Sequence, residues 1–239
     1  MPITEDNELS KLLADGQINA LSVDTNIFDE KGLQLNSSAL LAVSKLAVLH
    51  FDFLLSGTVA REIKRHLEQS ATEAIRSARK AIGVALTAYE TASPTRDQIL
   101  DQISGGQTPT QASETQFADY LAATNCQVLN DAEHVDTSKI FDAYFAVEPP
   151  FGAGAKKSEF PDALALFALE DVAAKRGKDI IIVSKDKDWK AYCEKSRRDI
   201  DQVADGDRSC RGHCRFDERS GPGGWKYRDS IGGRESPAR

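Results

Sequence analysis

Short apolar runs alternate along the chain with longer stretches whose apolar residues recur at helical spacing. Ile180 to Val183 are four consecutive β-branched residues, and residues 20–24 form a second short run that ends on an acid. Runs of this kind are typical of central strands that are covered on both faces. Residues 51–55 and 126–129 are further strands by the same criterion. The pattern therefore predicts four strands distributed along the chain.

Helical patterns fill the intervals between the predicted strands. We expect helices over 39–49 (mostly buried), 59–91, 110–124, 136–147, 160–176 and 188–198. Alternating strands and helices indicate an α/β fold. We predict a three-layer α/β/α sandwich with a central parallel sheet of about four to five strands over residues 1–203. Residues 66–124 are interpreted as a helical insertion within this domain.

The chain changes character near residue 204. The segment 204–239 is rich in Gly and Arg and almost free of aliphatic residues, so we expect it to be disordered or an aberrant end. Cys210, His213 and Cys214 are three zinc-ligand types, but a fourth ligand at the usual spacing is missing and the cysteine spacing differs from known sites. A zinc site is therefore disfavoured.

Composition narrows the class of protein. The 239 residues carry a formal net charge of −7, which disfavours a protein that merely coats nucleic acid. Four cysteines, three of them near the end, do not form a disulfide framework. Because neither a membrane-spanning run nor a secretion signal is recognisable, we expect a soluble, cytoplasmic protein without membrane contact.

Carboxylates occur where the predicted strands end and where two helices begin. Asp24 ends strand one, Asp186 and Asp188 follow strand four, Glu62 lies in the helix after strand two, and Asp162 begins a helix that is apolar nearly all round. Each acid also has an ordinary explanation as a turn residue, a helix N-cap or a solvated helix acid. Taken singly, these alternatives stay open.

Parallel strands place their carboxyl ends at one edge of the sheet, where ligand sites of open α/β sheets lie. Asp24 and Asp186 are therefore expected to share a metal site. Converging carboxylates repel one another unless a cation is present, and Mg²⁺ or Mn²⁺ prefers oxygen ligands. Such ions promote phosphodiester hydrolysis. No glycine-rich phosphate loop or serine elbow is present, and Ser22 replaces the first acid of a phosphatase Asp-x-Asp pair.

Four motifs in order resemble the PIN-domain (PilT N-terminus) nuclease superfamily, in particular a larger bacterial branch with a helical insertion. They are residues 22–26, Glu62, residues 159–163 and residues 183–189. The resemblance implies a divalent-metal-dependent endoribonuclease that uses Mg²⁺ or Mn²⁺. By position, it assigns the catalytic, metal-binding cluster to Asp24, Glu62, Asp162 and Asp186, with Asp188 as an additional ligand. Supporting roles fall to Thr25, Asn26, Ser184 and Glu159.

The resemblance also implies contacts to RNA phosphates. We assign these to the basic residues that flank the acids, with solvated helix and loop faces as the alternative: Arg61, Lys64, Arg65, Lys156, Lys157, Lys185 and Lys187. Relatives include toxins of toxin–antitoxin pairs and nucleases of RNA processing or defence, so a homodimer and a protein inhibitor are conceivable partners besides RNA. The competing hypothesis is a non-catalytic nucleic-acid- or protein-binding module on the same scaffold.

Overall fold

Five parallel strands form the sheet within the residues described by the computed structural model, which are 11–90, 93–152, 159–201 and 214–217. The strands are β1 (Ile18–Val23), β2 (Asp52–Leu55), β3 (Cys126–Val128), β4 (Asp179–Val183) and β5 (Cys214–Asp217). Their spatial order is β3-β2-β1-β4-β5, and every pair is parallel. The strand order therefore reverses between β1 and β4, where open α/β sheets form their ligand crevice.

Helices connect the strands. They are α1 (Thr25–Glu30), α2 (Ser38–Leu41), a 3₁₀ helix (Ala42–Leu49), α3 (Gly57–Ala88), α4 (Arg96–Ser104), α5 (Pro109–Thr124), α6 (Asp131–His134), α7 (Thr137–Ala146), α8 (Phe160–Arg176) and α9 (Lys187–Asp201). Each connection between neighbouring parallel strands includes at least one helix, as parallel pairing requires. The predicted α/β/α fold with a parallel sheet is confirmed.

The core lies against the three inner strands of the sheet, β2, β1 and β4. Leu54 of β2 and Ile180 and Ile182 of β4 are fully buried. Leu166 and Leu169 of α8 and Ile63 of α3 join the same cluster. Burial on both faces explains why these strands consist of nearly continuous apolar residues rather than alternating ones.

Local sequence signals set the helix ends that position the site. The Ser56 hydroxyl accepts a hydrogen bond from the Val59 amide and caps the start of α3. Gly177 ends α8 with φ +62°, a left-handed conformation that glycine adopts without steric cost. The strand after α8 thus begins two residues later, at Asp179.

The segment 66–124 packs against the rest of the domain. α3 runs without interruption from the end of β2 to Ala88, and α5 returns along it. Phe117 and Tyr120 of α5 are buried in the main core, and the Tyr120 ring meets Phe28 edge-on with centroids 5.7 Å apart. α5 is therefore a structural part of the domain.

Two expectations are corrected. Residues 39–49 do not form a mostly buried helix: α2 is one turn long, the rest is 3₁₀, and Val48 is 82% exposed. The expected disorder over 204–239 is wrong for Cys214–Asp217, which pair with β4 as β5. Of the suggested zinc ligands, Cys210 and His213 lie outside the described residues, as does the remainder of this segment.

Candidate functional site

Asp24 lies at the carboxyl end of β1, at the reversal of strand order. Its backbone amide donates to the Val183 carbonyl of β4 at 3.0 Å, and the residue caps the start of α1 in an extended conformation. Only 5% of its surface is exposed. The strand pattern therefore places a carboxylate in a buried position between β1 and β4, where it requires polar partners.

Two side chains hold one oxygen of Asp24. Ser184 Oγ donates to Asp24 Oδ2 at 2.6 Å, and Asn26 Nδ2 donates to the same oxygen at 2.5 Å. Asn26 Nδ2 also lies 3.2 Å from Ser184 Oγ. Two of the four residues predicted to support the cluster, Asn26 and Ser184, thus contact its most buried carboxylate and fix its orientation.

The surroundings of Asp24 disfavour its negative charge. The pKa of Asp24 is raised from 3.8 to about 7: burial is the largest cause, the nearby charges of Asp162 and Asp186 act in the same direction, and the Ser184 hydrogen bond acts in the opposite direction. Carboxylates that raise one another's pKa are close enough to interact. The structure therefore brings Asp24, Asp162 and Asp186 into one cluster.

Asp162 belongs to the first turn of α8 and is half-buried. Burial raises its pKa to about 6, opposed by a hydrogen bond from Trp189, and the charges of Asp186, Glu62 and Glu159 raise it as well. The Trp189 indole Nε1 donates to Asp162 Oδ1 at 3.0 Å. Glu159 is buried directly before α8, so a fifth carboxylate contributes to the negative charge here.

Glu62 reaches the cluster from α3. Thr25 Oγ1 donates to Glu62 Oε2 at 2.9 Å, which links the start of α1 to the second turn of α3. Thr25 is buried and Glu62 is half-buried. Thr25 therefore orients Glu62.

Asp186 has a structural task in addition to its place in the cluster. Its Oδ1 accepts from the Asp188 amide at 2.6 Å and its carbonyl accepts from the Lys190 amide at 3.2 Å, so it caps α9. Its own amide donates to Ser184 Oγ at 2.9 Å. Asp188 is half-buried in the first turn of α9. The N-cap interpretation of Asp186 is thus correct, and its charge still acts on Asp24 and Asp162.

The donor chemistry of this cluster fits a hard divalent cation. Its side chains present carboxylate oxygens, and their mutual repulsion is what a cation would relieve. As they stand, no three His, Cys, Asp or Glu side chains in the described part of the chain are close enough to hold one ion between them. The cluster is a concentration of negative charge rather than a closed coordination shell.

The basic residues are more dispersed than the sequence suggested. Arg61 and Lys64 line a separate cleft of about 550 Å³ between α3, α5 and the chain after β3, and none of the clustered acids lines it. Lys185 Nζ is 2.7 Å from Glu30 Oε2, so this lysine is already paired. Arg65 and Lys187 are exposed, whereas Lys156 and Lys157 lie outside the described residues.

One buried acid near the same edge of the sheet was missed. Asp131, which follows β3, accepts hydrogen bonds from the Gly57 amide at 2.8 Å and the Thr58 amide and hydroxyl at 2.7 Å each. Arg61 Nη2 lies 3.8 Å from its Oδ2. Asp131 thus anchors the N-terminus of α3 to the chain after β3, and its place after a strand was the available signal.

Trp189 was also missed as a site residue. It is 1% exposed and packs in the main core, while its indole N–H reaches Asp162. A buried Trp N–H needs an acceptor, and the adjacent Asp186 and Asp188 were the signal in the sequence. Trp189 connects the packing of α9 to the orientation of an acid on α8.

Comparison with known families agrees with this architecture. Residues 21–189, well over half of the chain, match the PIN domain family, and this range includes the end of β1 with Asp24, the acids of α3 and α8, and the residues that follow β4 up to Trp189. Neither a curated protein nor a solved structure gives a match. Among the described residues, no helix has the length and apolar character needed to cross a bilayer. PIN domains are a nuclease-type family, and the chain belongs to the PIN domain family.

Proposed function

We propose that the protein is a divalent-metal-dependent endoribonuclease whose active site is the cluster of Asp24, Glu62, Asp162 and Asp186. The observation that carries this proposal is the buried Asp24 carboxylate at the β1–β4 reversal, whose pKa is raised by burial and by two neighbouring aspartates. A protein gains no stability from such crowding, because uncompensated like charges oppose folding. We therefore expect these acids to have a function in this position, namely to bind a cation.

Each acid has a defined task in this proposal. Asp24, Asp162 and Asp186 would hold Mg²⁺ or Mn²⁺, and Glu62 and Asp188 would complete the donor set. The bound ion would polarise the scissile phosphodiester and lower the pKa of an attacking water. Side chains around the acids supply orientation, since metal sites depend on the hydrogen bonds that fix their ligands.

These orienting bonds come from α1, from the residue after β4 and from α9. Ser184 and Asn26 fix Asp24 Oδ2. Thr25 fixes Glu62, and Trp189 fixes Asp162. Three of the four acids thereby have an orientation that side-chain hydrogen bonds support. Such preorganisation reduces the reorganisation needed when charge develops on the phosphate.

RNA is the substrate that we propose, in a role such as RNA processing, defence or toxin-like cleavage. Lys187 and Arg65 are exposed and lie one and three residues from Asp186 and Glu62 in the sequence, and they would attract the phosphate backbone. Lys156 and Lys157 immediately precede the Glu159–Asp162 segment in the sequence. Because the formal net charge is −7, the protein as a whole does not attract RNA, and we expect the bound metal ion and local basic side chains to hold the phosphates.

Cleavage of labelled RNA by the purified full-length chain tests the proposal. We expect fragments with Mg²⁺ or Mn²⁺, none with EDTA, and little cleavage of DNA of the same sequence. Asp24→Asn and Asp162→Asn should each lower the rate by about 100-fold or more. Asp101→Asn, at an exposed position of α4, is the matched control and should cleave normally.

A non-catalytic binding module predicts a different result. RNA binding would persist in EDTA and in both carboxylate variants, and no metal would produce fragments. Cleavage that persists equally in Asp24→Asn and Asp162→Asn would assign the activity to a contaminant or another site. Either result would refute the proposed active site.

A further inference from the structure

Lys185 lies within the framework that holds the acidic cluster. In the chain it stands between Ser184, whose hydroxyl donates to Asp24, and Asp186, whose charge acts on Asp24. Its own amide donates to Asn26 Oδ1 at 3.4 Å, and Asn26 Nδ2 donates to Asp24 Oδ2. The backbone of this lysine is therefore fixed directly beside the acids.

A lysine in this position is a natural competitor of a bound cation. Its ammonium is a compact charge on a flexible four-carbon stem, and carboxylates attract it as they attract a metal ion. Burial, hydrogen bonds and other carboxylates act on the pKa of Asp24 and on that of Asp162, and Lys185 is not among the groups involved. The ammonium of Lys185 therefore does not neutralise these two acids.

Glu30 binds this ammonium instead. Lys185 Nζ lies 2.7 Å from Glu30 Oε2, and the hydrogen bond from Lys185 is the largest cause that lowers the pKa of Glu30. Glu30 is the last residue of α1, whereas Asp24 caps the start of the same helix. Because α1 has six residues, its ends are about 9 Å apart along the axis. Glu30 thus holds the ammonium at the end of α1 that is remote from Asp24.

A second lysine near Glu30 provides an internal comparison. Lys31 Nζ is 3.7 Å from Glu30 Oε1, which is too far for a hydrogen bond. Lys31 is seven residues from Asp24 in the chain, whereas Lys185 directly precedes Asp186. Glu30 therefore has two cationic neighbours, and Lys185 is the one whose backbone adjoins the acids.

The pair of Glu30 and Lys185 adds little to the stability of the fold. Both side chains keep solvent contact, since Lys185 is 42% and Glu30 is 28% exposed. Ion pairs at such positions contribute little to folding, because water screens the attraction and ordering two long side chains costs entropy. Removal of the Glu30 charge is therefore expected to release Lys185 without unfolding the chain.

We propose that Glu30 is a positioning residue that holds the Lys185 ammonium away from Asp24 and Asp186, so that their carboxylates stay open to a divalent cation. The second half of this inference rests on the proposed function, in which these acids bind a metal ion. Without the Glu30 charge, the lysine turns to the neighbouring carboxylates and competes with the ion. Glu30 itself contacts neither the ion nor the substrate and acts through Lys185.

Binding of Mn²⁺ to the purified full chain, measured from the electron paramagnetic resonance signal of the free ion, tests the proposal without turnover. Glu30→Gln should weaken Mn²⁺ binding by about tenfold, as expected when a residue that supports a metal site is lost. The double variant Glu30→Gln, Lys185→Met should regain the affinity of the unmodified chain, because the competing ammonium is gone.

A matched double variant excludes an effect of net charge. Glu30→Gln, Lys31→Met has the same net charge as Glu30→Gln, Lys185→Met, but it removes the lysine that does not adjoin the acids. It should bind Mn²⁺ as weakly as Glu30→Gln alone. Asp101→Asn, at an exposed position of α4, changes the net charge as Glu30→Gln does and should bind Mn²⁺ as the unmodified chain does.

A crystal structure of the Glu30→Gln variant grown in EDTA tests the first half of the proposal without any metal ion. We expect Lys185 Nζ within about 4 Å of a carboxylate oxygen of Asp24 or Asp186, the distance of an ion pair. A Lys185 side chain that extends into solvent in this variant would overturn the proposal.

The outcomes separate this proposal from the proposed function. If the unmodified chain binds no Mn²⁺ but Lys185 turns to the acids in Glu30→Gln, the nuclease proposal is refuted and the hold of Glu30 on Lys185 stands. If cleavage depends on metal but Glu30→Gln binds Mn²⁺ with unchanged affinity, the positioning role is refuted and the nuclease proposal stands. Weak binding by Glu30→Gln that Lys185→Met does not restore would also overturn the positioning role.

Discussion

Ser184 donates its hydroxyl hydrogen to Oδ2 of Asp24 at 2.6 Å, although the two residues are 160 positions apart in the chain. The bond links the residue that follows β1 to the residue that follows β4, at the point where the strand order reverses. The same hydroxyl oxygen accepts from the Asp186 amide. One serine thus fixes the positions of two of the clustered acids.

Ser184→Ala should impair the site more than the fold. The substitution removes a donor from Asp24 and an acceptor from Asp186, so we expect metal affinity or cleavage to fall by about 10- to 100-fold. Cleavage rates measured against Mn²⁺ concentration provide the measurement. Ser113→Ala is the control, since this buried serine bonds only to the Thr110 carbonyl in its own helix. Equal activity of the two variants would show that Ser184 does not position the acids.

The metal-free protein should lose stability as pH rises from about 4 to 7. Because the pKa of Asp24 is about 7 in the folded chain and 3.8 is its ordinary value, the folded state retains a proton across this window that the unfolded state has released. Stability therefore falls with rising pH there and changes little above it. Asp24→Asn should remove the part of this dependence that Asp24 contributes, leave the smaller part that the raised pKa of Asp162 contributes, and raise the free energy of unfolding at pH 8 by about 2 to 4 kcal/mol.

Urea denaturation at pH 5 and pH 8, in EDTA, measures this effect. Adding Mn²⁺ at pH 8 should stabilise the unmodified chain and leave Asp24→Asn nearly unchanged, because the cation replaces the proton as the partner of the carboxylate. A destabilised Asp24→Asn variant at pH 8 would contradict the proposed charge crowding.

Trp189→Phe should act through Asp162. Phenylalanine fills most of the space of the indole but cannot donate to Asp162 Oδ1, so metal-dependent cleavage should fall by about tenfold. A double-mutant cycle with Asp162→Asn distinguishes positioning from packing. If Trp189 acts through Asp162, its substitution adds little to the loss already caused by Asp162→Asn. Fully additive losses would exclude the positioning role.

Two glycines of α3 should respond oppositely to alanine. At Gly57 a Cβ would approach the Leu129 carbonyl oxygen to 2.8 Å and Asp131 Oδ2 to 3.3 Å, so we expect a loss of about 1–3 kcal/mol. At Gly83 the nearest atom is Arg96 Nη1 at 3.5 Å, and Gly83→Ala should gain about 0.5–1 kcal/mol of helix stability. Urea unfolding of both variants checks the pair, and destabilisation of equal size would refute the close approach at Gly57.

The sequence predicted the strands and the order of the acids because both depend on local pattern. β-branched runs mark strands buried on both faces, and parallel strands bring their carboxyl ends together. Asp24 and Asp186 could therefore be placed at one edge of the sheet. The residues that support them could be named from the sequence, but their partners could not: Thr25 contacts Glu62, which is 37 positions away in the chain.

Features that depend on packing between distant segments were not predictable. Asp131 follows a short strand with exposed residues, so its sequence resembles an ordinary loop, and only the approach of Gly57 and Thr58 gives it three donors. Residues 39–49 are apolar nearly all round, and periodicity does not show which side such a segment buries. β5 consists of Cys214–Asp217. These residues lie in a polar segment, and no alternation of apolar and polar positions indicates that they form a strand beside β4.

Anomalous diffraction from a crystal of the full chain soaked in Mn²⁺ tests the central claim most directly. The account predicts one manganese peak or two adjacent peaks at the β1–β4 reversal, with Asp24 and at least one of Asp162, Asp186 and Glu62 about 2.0–2.3 Å from the ion. Carboxylates that point apart or pair with lysine and arginine, without a manganese peak between them, would contradict it.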